Sequence, residues 1–435
     1  MSHTVQLGTM SYRNQNHGLS LKTADRLRHV YMIGKTGTGK STLYQNMMLQ
    51  DIRAGAGCCF VDPHGEAIEW LLAAIPPERF EDVIVFDPSD TEWPLGLNLL
   101  EWHTESEKDF LVSEAIEIFY KLFDPEQTGV IGPQFEHWMR NAALTIMADP
   151  AGGTLVDIPR LFTDPEFEAR SRRHVKDKVV RAFWEQQMTK TSQFHRSEML
   201  NYFTSKFGRF MTNELMRNII GQKKSAFSWG DAIAQNKIVL VNLSKGKLGE
   251  LNAFMLGLIL MTKLHMAIMR RAELPPENRT PFFLYVDEFQ NVLTEAFISM
   301  LAEARKYGLA VHLTNQYVAQ LTDEIREAVL GNCGTLISFQ IGSQDITHLL
   351  REFEAESGGR ASTRLQEDDF QYLPRHHYYI RLLQDGVTRP ALLGKSYPPL
   401  ERTTPLAPDH IRWLSRLRFA APKHIVEAEL KDRWG

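Results

Sequence analysis

A glycine-rich loop close to the start of the chain constrains its fold more than any other feature. Residues 34 to 41 read G-K-T-G-T-G-K-S directly after the apolar run Val30–Ile33, which is the spacing of a P-loop, or Walker A motif. In such a loop the backbone N–H groups and the N-terminus of the following helix point at phosphate oxygens. We therefore expect a nucleoside triphosphate, ATP, to bind along Gly34, Lys35, Thr36, Gly37, Thr38, Gly39, Lys40, Ser41 and Thr42. Lys40 would reach the β- and γ-phosphates, and Ser41 would ligate Mg²⁺.

The residues around this loop have the expected strand–loop–helix pattern. From Thr42 to Ala54 apolar residues recur four positions apart, as in Leu43 and Met47, and Gly55 stands where a glycine commonly ends a helix. The alternative is a glycine-rich turn that binds no ligand, but it does not explain the strand and helix patterns on either side of the loop.

The rest of the chain predicts an α/β fold with a mostly parallel sheet. Short apolar runs separated by helical patterns are typical of buried parallel strands. The predicted strands are Val30–Ile33, Cys58–Val61, Val83–Phe86, Ile238–Leu243, Phe282–Val286, Leu309–Leu313 and Thr335–Phe339.

Residues 104–235 interrupt this alternation and predict an all-helical insertion. Apolar residues recur at helical spacing over Phe110–Phe123, Phe135–Met147, Val179–Met188 and Met199–Phe210. The charge of the insertion is divided, with 10 acidic and 3 basic residues over 104–157 and 7 acidic and 14 basic residues over 158–224. We predict an N-terminal segment at 1–29, a discontinuous ATPase core at 30–103 and 236–396, the insertion at 104–235, and a C-terminal tail at 397–435. Residues 354–363 are predicted to form a loop.

Composition narrows the class of protein. The formal net charge is −4, so a DNA-binding surface would have to be local. The three cysteines fit neither a disulfide framework nor a zinc site. No signal peptide is recognised, and the apolar stretch Leu251–Met269 is broken by Lys263 and His265, so we expect a buried helix, no membrane span and a cytoplasmic location.

A second nucleotide-binding pattern follows the strand predicted at Phe282–Val286. Asp287 and Glu288 end this strand, as in a Walker B motif. Asp287 would hold Mg²⁺, and Glu288 would orient and deprotonate the attacking water. A strand that ends in a solvated acidic turn is the alternative.

Other residues are candidates for completing the site. Gln316, or otherwise Asn315, follows the next strand and is expected to sense the γ-phosphate, although a turn or helix cap would use the same residues. Arg305, or less strongly Arg326, is expected to stabilise transition-state charge from a neighbouring subunit. A basic residue before Gly308 also suits a helix C-terminus, so both interpretations stay open for Arg305.

Three further features have competing explanations. Asp62 and Glu66 could hold water or metal near the γ-phosphate, but turn chemistry explains them better, and His64 alone suggests no metal site. The segment from Ser244 to Gly249 and part of the insertion are basic and could contact DNA phosphates without reading sequence, or could be solvated surface. The basic residues of the insertion are Arg170, Arg172, Arg173, Lys176, Lys178 and Arg181.

Taken in order, these motifs resemble the HerA/FtsK superfamily of DNA-pumping ATPases, and within it the coupling ATPases of conjugation and type IV secretion. The resemblance covers most of the predicted core. It rests on Ile33–Thr42 (IGKTGTGKST), Val61–Glu66 (VDPHGE), Val85–Asp90 (VFDPSD), Gly96–Leu100 (GLNLL), Leu284–Gln290 (LYVDEFQ), Ala304–Gly308 (ARKYG), Thr314–Tyr317 (TNQY) and Val329–Gly334 (VLGNCG).

The resemblance implies a RecA-like core, a hexameric ring with ATP at subunit interfaces, and DNA in a central channel. The expected function is an ATP-dependent DNA translocase. One alternative is a soluble coupling ATPase that delivers a relaxase–DNA complex to a type IV secretion channel. Another is an ATP-gated regulator that moves no DNA. Neither the transmembrane helices usual in coupling proteins nor the N-terminal β-barrel usual in HerA proteins is recognised in residues 1–29.

Overall fold

A computed structural model describes residues 3–12, 15–190, 193–293, 295–354, 365–401 and 407–434. The chain forms two compact units. The sheet unit comprises Met1–Phe86, Trp229–Ser244 and Ala267–Ser415, and the helical unit comprises Asp87–Ser228, Lys245–Met266 and Arg416–Gly435. This division reflects contacts within the folded chain. It does not test the domain boundaries inferred from sequence, which remain a prediction. Most of the loop predicted at 354–363 lies outside the described residues.

An 11-stranded sheet dominates the sheet unit, and its strand order is β2-β1-β13-β10-β9-β3-β8-β7-β4-β6-β5. The bounds are β1 Thr4–Tyr12, β2 Gln15–Lys22, β3 Val30–Ile33, β4 Gly57–Asp62, β5 Val83–Phe86, β6 Ile238–Asn242, β7 Phe282–Val286, β8 Leu309–Asn315, β9 Thr335–Ser338, β10 His377–Arg381, β11 Leu383–Gln384, β12 Val387–Thr388 and β13 Leu392–Ser396. Strands β11 and β12 form a separate hairpin.

Seven neighbouring strands of this sheet, from β9 to β5 in the order above, are parallel. They are the seven strands predicted from sequence, and every residue in them is buried. Burial on both faces is the reason that a parallel strand appears in the sequence as a continuous apolar run. The predicted α/β class, with a mostly parallel sheet, is therefore confirmed.

The four remaining strands of the sheet form what we call the antiparallel flank: β10, β13, β1 and β2. Sequence analysis did not predict these strands. In β1 and β2 the large apolar residues of the core stand two positions apart. They are Val5, Leu7, Leu19 and Leu21, and this is the two-residue period of a strand with one buried face. That period was present in the sequence, but the signal in each strand is short.

Helices pack around the sheet and make up the helical unit. The α-helices are α1 Thr23–Arg26, α2 Lys40–Arg53, α3 Glu66–Leu72, α4 Glu105–Phe123, α5 Pro133–Met147, α6 Arg160–Thr163, α7 Pro165–Arg172, α8 Lys178–Ala182, α9 Gln193–Thr212, α10 Glu214–Ile220, α11 Trp229–Ala234, α12 Lys245–Leu248, α13 Glu250–Arg270, α14 Glu295–Glu303, α15 Asp323–Asn332, α16 Ser343–Glu354, α17 Glu367–Gln371, α18 Ala407–Phe419 and α19 Lys423–Trp434. A π-helical turn, Phe183–Met188, continues α8.

The helical unit has an aromatic core of its own. Phe119 lies 5.3 Å from Phe135 and 4.7 Å from Phe207 between ring centroids. Trp138 stacks on Phe162 at 5.1 Å. Tilted and offset ring pairs at such distances add stability beyond their buried area. The helical patterns predicted between residues 104 and 235 thus correspond to helices packed around these rings.

Helix α13 is long and apolar enough to cross a membrane, judged by length and composition alone. Of its most apolar 18-residue window, 83% is buried inside the protein. A buried core helix of a soluble protein has the same properties. Lys263 in this helix is buried, and its Nζ donates to the carbonyl oxygen of Glu101 at 2.6 Å.

A buried ionic network joins the far end of α2 to two strands of the sheet. Arg26 donates to both carboxylate oxygens of Asp51, at 2.7 and 2.6 Å, and to the hydroxyl of Tyr285 at 2.7 Å. Its Nε also donates to Nε2 of His312 at 3.2 Å. Burial by itself would raise the pKa of Asp51, but pairing with Arg26 outweighs it and holds that pKa well below its usual range. The network fixes α2 against β7 and β8, whose ends carry the candidate site.

Candidate functional site

A cleft of about 630 Å³ opens at the carboxyl ends of the parallel strands, where open α/β sheets commonly bind ligands. All of its lining residues belong to the sheet unit. They are Lys35, Thr36, Gly37, Gly39, Lys40, Ser41, Thr42, Gln45, Asp62, His64, Glu66, Ala67, Trp70, Asp287, Glu288, Gln316, Arg375 and His376. The two predicted motifs, Walker A and Walker B, therefore meet in one cleft.

The P-loop connects β3 to α2, as the sequence predicts. Its shape is held by the backbone N–H of Lys35, which donates to Gln340 O at 2.9 Å, and by Thr38 Oγ1, which donates to Lys35 O at 2.8 Å. Gly39 precedes α2 with φ 114°, a conformation that side chains disfavour. A Cβ at this position would also lie 2.8 Å from Nδ1 of His376. The loop therefore requires glycine at position 39 on two counts.

Lys40 connects the two motifs. Its Nζ lies 3.8 Å from Oε1 of Glu288 and donates to Asn315 O at 3.1 Å. Both side chains of the ion pair are buried, with 8% and 7% exposed. A buried ammonium held by a carbonyl and a carboxylate is a strong cationic centre for a phosphate group.

Asp287 directly follows β7 and contacts β8 through Thr314. Its Oδ1 accepts a hydrogen bond from Thr314 Oγ1, and its backbone N–H donates to Val61 O at 3.1 Å. Burial raises the pKa of the Asp287 carboxyl above its usual value, while Lys40 and Thr314 act in the opposite direction. Its oxygens and the hydroxyl of Ser41 line the same cleft, and such oxygen donors suit Mg²⁺ that also keeps waters and phosphate ligands.

Glu288 is held in an unusual backbone conformation for a residue with a side chain, with φ 46°. Its Oε2 accepts a hydrogen bond from Nε2 of Gln290 at 2.8 Å, while Oε1 faces Lys40. Left-handed conformations at non-glycine residues cost about 1 kcal/mol or more and concentrate at functional sites. The solvated acidic turn considered from sequence does not describe this buried carboxylate, which is 5% exposed.

The structure separates Gln316 from Asn315. Asn315 is fully buried; its Oδ1 accepts from the hydroxyl of Tyr31 at 2.8 Å and its Nδ2 donates to Tyr317 O at 2.8 Å. Gln316 lines the cleft, and its Oε1 accepts from Oγ1 of Thr36 in the P-loop at 3.1 Å. The side chain of Gln316 is thus the one that contacts the P-loop, and its role as γ-phosphate sensor remains a prediction.

Asp62, the last residue of β4, and Glu66, the first residue of α3, also line the cleft. The carboxylate of Asp62 accepts backbone hydrogen bonds from His64 at 2.8 Å, Ala67 at 3.1 Å and Ile68 at 3.3 Å. It therefore shapes the turn and the start of α3, as turn chemistry predicts. Within the described part of the chain, no group of three or more His, Cys, Asp or Glu side chains is placed to hold a metal ion.

Neither candidate arginine lines this cleft. Arg305 is exposed and precedes β8. The seven residues of β8 span roughly 20 Å, and they separate Arg305 from the cleft at Gln316. Arg326 donates to Asp323 on its own helix at 2.8 Å. Arg305 could therefore act only on the site of another subunit, and that role stays a prediction.

The basic residues singled out from sequence lie in the helical unit and are mostly exposed. Arg172 is the partly buried exception; it pairs with Glu168 at 3.1 Å and lies 3.8 Å from Glu185. Near the start of α12, Lys247 is exposed and Lys245 lies 3.4 Å from Glu250. These positions fit both a phosphate-contacting surface and a solvated helix face.

Sequence reasoning missed Arg375 and His376, which immediately precede β10. Nε of Arg375 donates to Gly37 O at 2.9 Å, and the backbone N–H of His376 donates to Thr38 O at 2.7 Å. They belong to no recognised motif, and the antiparallel strand that positions them was not predicted. No local signal in the sequence pointed to them.

Comparison with known proteins finds one matching family model and several similar folds. Residues 281–353, which include the Walker B strand and β8, match the family model described as the TraM recognition site of TraD and TraG. The bacterial conjugative coupling protein TrwBdeltaN70, in its unbound form, superposes with a TM-score of 0.59 at 14% identity, covering 92% of this chain and 90% of that chain. The chain has the fold of a conjugative coupling protein.

Two further structures share the coupling-protein fold of this chain. VirB4 of Thermoanaerobacter pseudethanolicus superposes with a TM-score of 0.55 at 13% identity, covering 93% of this chain and 97% of that chain. TrwB in complex with the ATP analogue ADPNP gives 0.59 at 15%, covering 88% and 87%. A search of curated protein sequences gave no match. The expected resemblance to conjugative coupling proteins is confirmed for the fold over most of the chain and for the sequence over residues 281–353.

Proposed function

We propose that this protein is a Mg²⁺-dependent ATPase that uses ATP hydrolysis to move or transfer DNA. The observation that carries the proposal is the 3.8 Å approach of Lys40 to Glu288 across one cleft. It places the phosphate-binding lysine beside the carboxylate expected to activate water. TrwB, which shares the fold, has been solved with an ATP analogue and with ADP and Mg²⁺, and this supports the same ligands here.

We assign each group a role in the proposed hydrolysis. The backbone amides of residues 34–41 and Lys40 hold the phosphates, and Ser41 and Asp287 would hold Mg²⁺, which neutralises phosphate charge. Glu288 accepts a proton from the water whose oxygen bonds to the γ-phosphorus. The bond from that phosphorus to the β–γ bridging oxygen breaks, which leaves ADP and inorganic phosphate. Gln316 positions the water or the γ-phosphate.

Assembly into a ring, we propose, supplies the missing positive charge. Arg305 lies at the edge of the sheet opposite the cleft, so a neighbouring copy would present it to the γ-phosphate. A hexamer is the assembly we propose, with the protein in the cytoplasm. Sedimentation of the protein with and without ATP and Mg²⁺ would test this, and a monomer under all conditions would contradict it.

DNA contact is assigned to exposed cations rather than to a sequence-reading element. Four exposed cations of the helical unit would bind phosphates of any sequence. They are Arg173, Lys176, Lys178 and Lys247. The match of 281–353 to a TraM recognition model supports partner recognition by this segment. It favours the alternative in which the ATPase delivers a relaxase–DNA complex to a type IV secretion channel.

The decisive experiment is ATPase turnover with and without DNA at low salt, followed by a salt titration. A translocase should be stimulated several-fold by DNA, and the stimulation should fall steeply as salt rises because counterions compete for the phosphates. ATP hydrolysis that ignores both single- and double-stranded DNA would favour the ATP-gated regulator. A pull-down with a relaxase would separate the coupling alternative from a free-standing translocase.

A further inference from the structure

Two consecutive residues outside all the recognised motifs hold two consecutive carbonyls of the P-loop. Arg375 binds the carbonyl oxygen of Gly37 through its side chain, and His376 binds that of Thr38 through its backbone N–H. His376 itself has φ 67°, and its carbonyl accepts from the N–H of Ser396 in β13 at 2.8 Å. The start of β10 is thus fixed to the outside of the loop.

The side of the loop on which these residues lie can be deduced from the hydrogen bonds. In a phosphate-binding loop the N–H groups converge on the anion and the carbonyls point away from it. Arg375 and His376 bind carbonyls, so they do not lie among the phosphates. They nevertheless line the same cleft, and its non-phosphate part is where the ribose and base of a nucleotide must lie.

The strand order gives the same result independently. The P-loop follows β3, Glu288 follows β7 two strands to one side, and Arg375 and His376 precede β10 two strands to the other side. At the usual spacing between strands, β7 and β10 each lie about 10 Å from β3. Because the γ-phosphate must face Glu288, the nucleoside end of the same molecule points toward β10.

We propose that Arg375 and His376 form the nucleoside-binding wall of the cleft, with the guanidinium of Arg375 stacked on the purine base. Arg375 is exposed although its Nε is held by Gly37, so one face of a fixed planar cation is open to the ligand. Arginine stacks on aromatic rings in this way. The inference rests on the proposed nucleotide-binding function and adds the residues that recognise the nucleoside.

The test separates nucleoside contacts from phosphate contacts. Binding of the ATP analogue AMPPNP and of inorganic tripolyphosphate, both with Mg²⁺, is measured by calorimetry for the unmodified protein, Arg375→Ala and Arg375→Lys. Arg375→Ala should weaken AMPPNP about 10-fold, the effect of a cation–π contact that becomes desolvated when the ligand binds. Tripolyphosphate binding should stay within about twofold, because the backbone N–H of His376 still holds the loop at Thr38 O. Arg375→Lys should behave like Arg375→Ala, since lysine keeps the charge without the planar group.

Controls keep failure of this inference distinct from failure of the proposed function. Arg389→Ala removes an exposed arginine of the same unit that does not line the cleft, and it should bind both ligands normally. Thermal unfolding of each variant verifies folding. Three outcomes would overturn the stacking role alone. They are an equal loss of affinity for both ligands in Arg375→Ala, no loss of affinity for either ligand in Arg375→Ala, and full AMPPNP affinity in Arg375→Lys. Absence of AMPPNP binding by the unmodified protein would overturn the proposed function and this inference together.

Discussion

The parallel strands and the antiparallel flank hold the same P-loop from two sides in different ways. On the parallel side every strand residue is buried, and the loop is reached by a charged group, the Lys40–Glu288 pair. On the flank side the strands include residues that are only partly buried or are exposed, and the loop is reached through hydrogen bonds to its carbonyls. In our proposals the parallel side carries the groups for chemistry, and the flank holds the carbonyls of the loop and the nucleoside.

This difference also explains which half could be recognised from sequence. A parallel strand is apolar along its length and ends in a motif at the carboxyl edge of the sheet. A flank strand shows only alternate apolar residues, and its contribution to the site comes from the residues just before it. The predictions that follow test whether the two sides have separable roles.

The largest effect is expected for Glu288→Gln on the parallel side. Loss of the general base should lower ATP turnover about 10²- to 10⁴-fold and leave ATP binding nearly intact, because the amide keeps the size of the side chain. Steady-state phosphate release and equilibrium ATP binding measure the two effects. Glu324→Gln, at an exposed position of α15, is the matched control. Unchanged turnover in Glu288→Gln would remove Glu288 from its assigned role.

Lys40→Ala should weaken ATP binding by at least about 100-fold, because charge-assisted hydrogen bonds to the phosphates are lost. The buried carboxylate of Glu288 would also lose its cation. Calorimetric titration with AMPPNP and Mg²⁺ measures the change. The control variant Lys395→Ala removes an exposed lysine of the antiparallel flank, and it should leave the affinity for AMPPNP unchanged. Normal affinity in Lys40→Ala would mean that the cleft does not bind phosphates as proposed.

Gly8→Ala tests how firmly the flank is attached. A Cβ at Gly8 would lie 2.0 Å from Lys395 O, so β1 and β13 would have to separate at a cost of roughly 2–3 kcal/mol. Amide hydrogen exchange should accelerate in β1, β13 and β10 and stay slow in β3 and β8. Gly18→Ala is the control, since its Cβ would meet only Gln6 Oε1 at 3.7 Å. Equal acceleration in all strands would mean that the sheet opens as one unit.

The smallest effect concerns pH and His29, at the start of β3. Nδ1 of this buried ring accepts from the N–H of Val311 at 3.1 Å and Nε2 faces Leu301 O at 2.9 Å. Burial lowers the pKa of His29 to about 4. Between its ordinary pKa near 6.5 and about 4 the unfolded chain binds the proton more tightly, so stability falls as pH falls. The free energy of unfolding should be lower by about 1 kcal/mol at pH 5.5.

Chemical unfolding at pH 7.5 and 5.5 measures this loss, and the variant His29→Gln should show a smaller decrease between the two values. His424→Gln, at an exposed position in the helical unit, should keep the full decrease. If His29→Gln lost as much stability as the unmodified protein, the titration of His29 would not contribute.

The sequence determined the residues of the P-loop, the acidic pair at 287 and 288, and all seven parallel strands, because each of these features is a local pattern. Glycine spacing sets a loop conformation, and burial on both faces sets a continuous apolar run. The helices of residues 104–235 were likewise predicted from their periodicity. Residue type and spacing along a short segment carry this information without reference to the rest of the chain.

Only the tertiary structure decided which side chains meet. It paired Lys40 with Glu288, separated Gln316 from the buried Asn315, placed Arg305 at the far edge of the sheet, and brought Arg375 and His376 to the P-loop from more than 300 residues away in sequence. The physical reason is that strand order is set by packing and hydrogen bonding across the whole sheet. Residues just before an antiparallel strand therefore acquire their place only when that strand joins its neighbours.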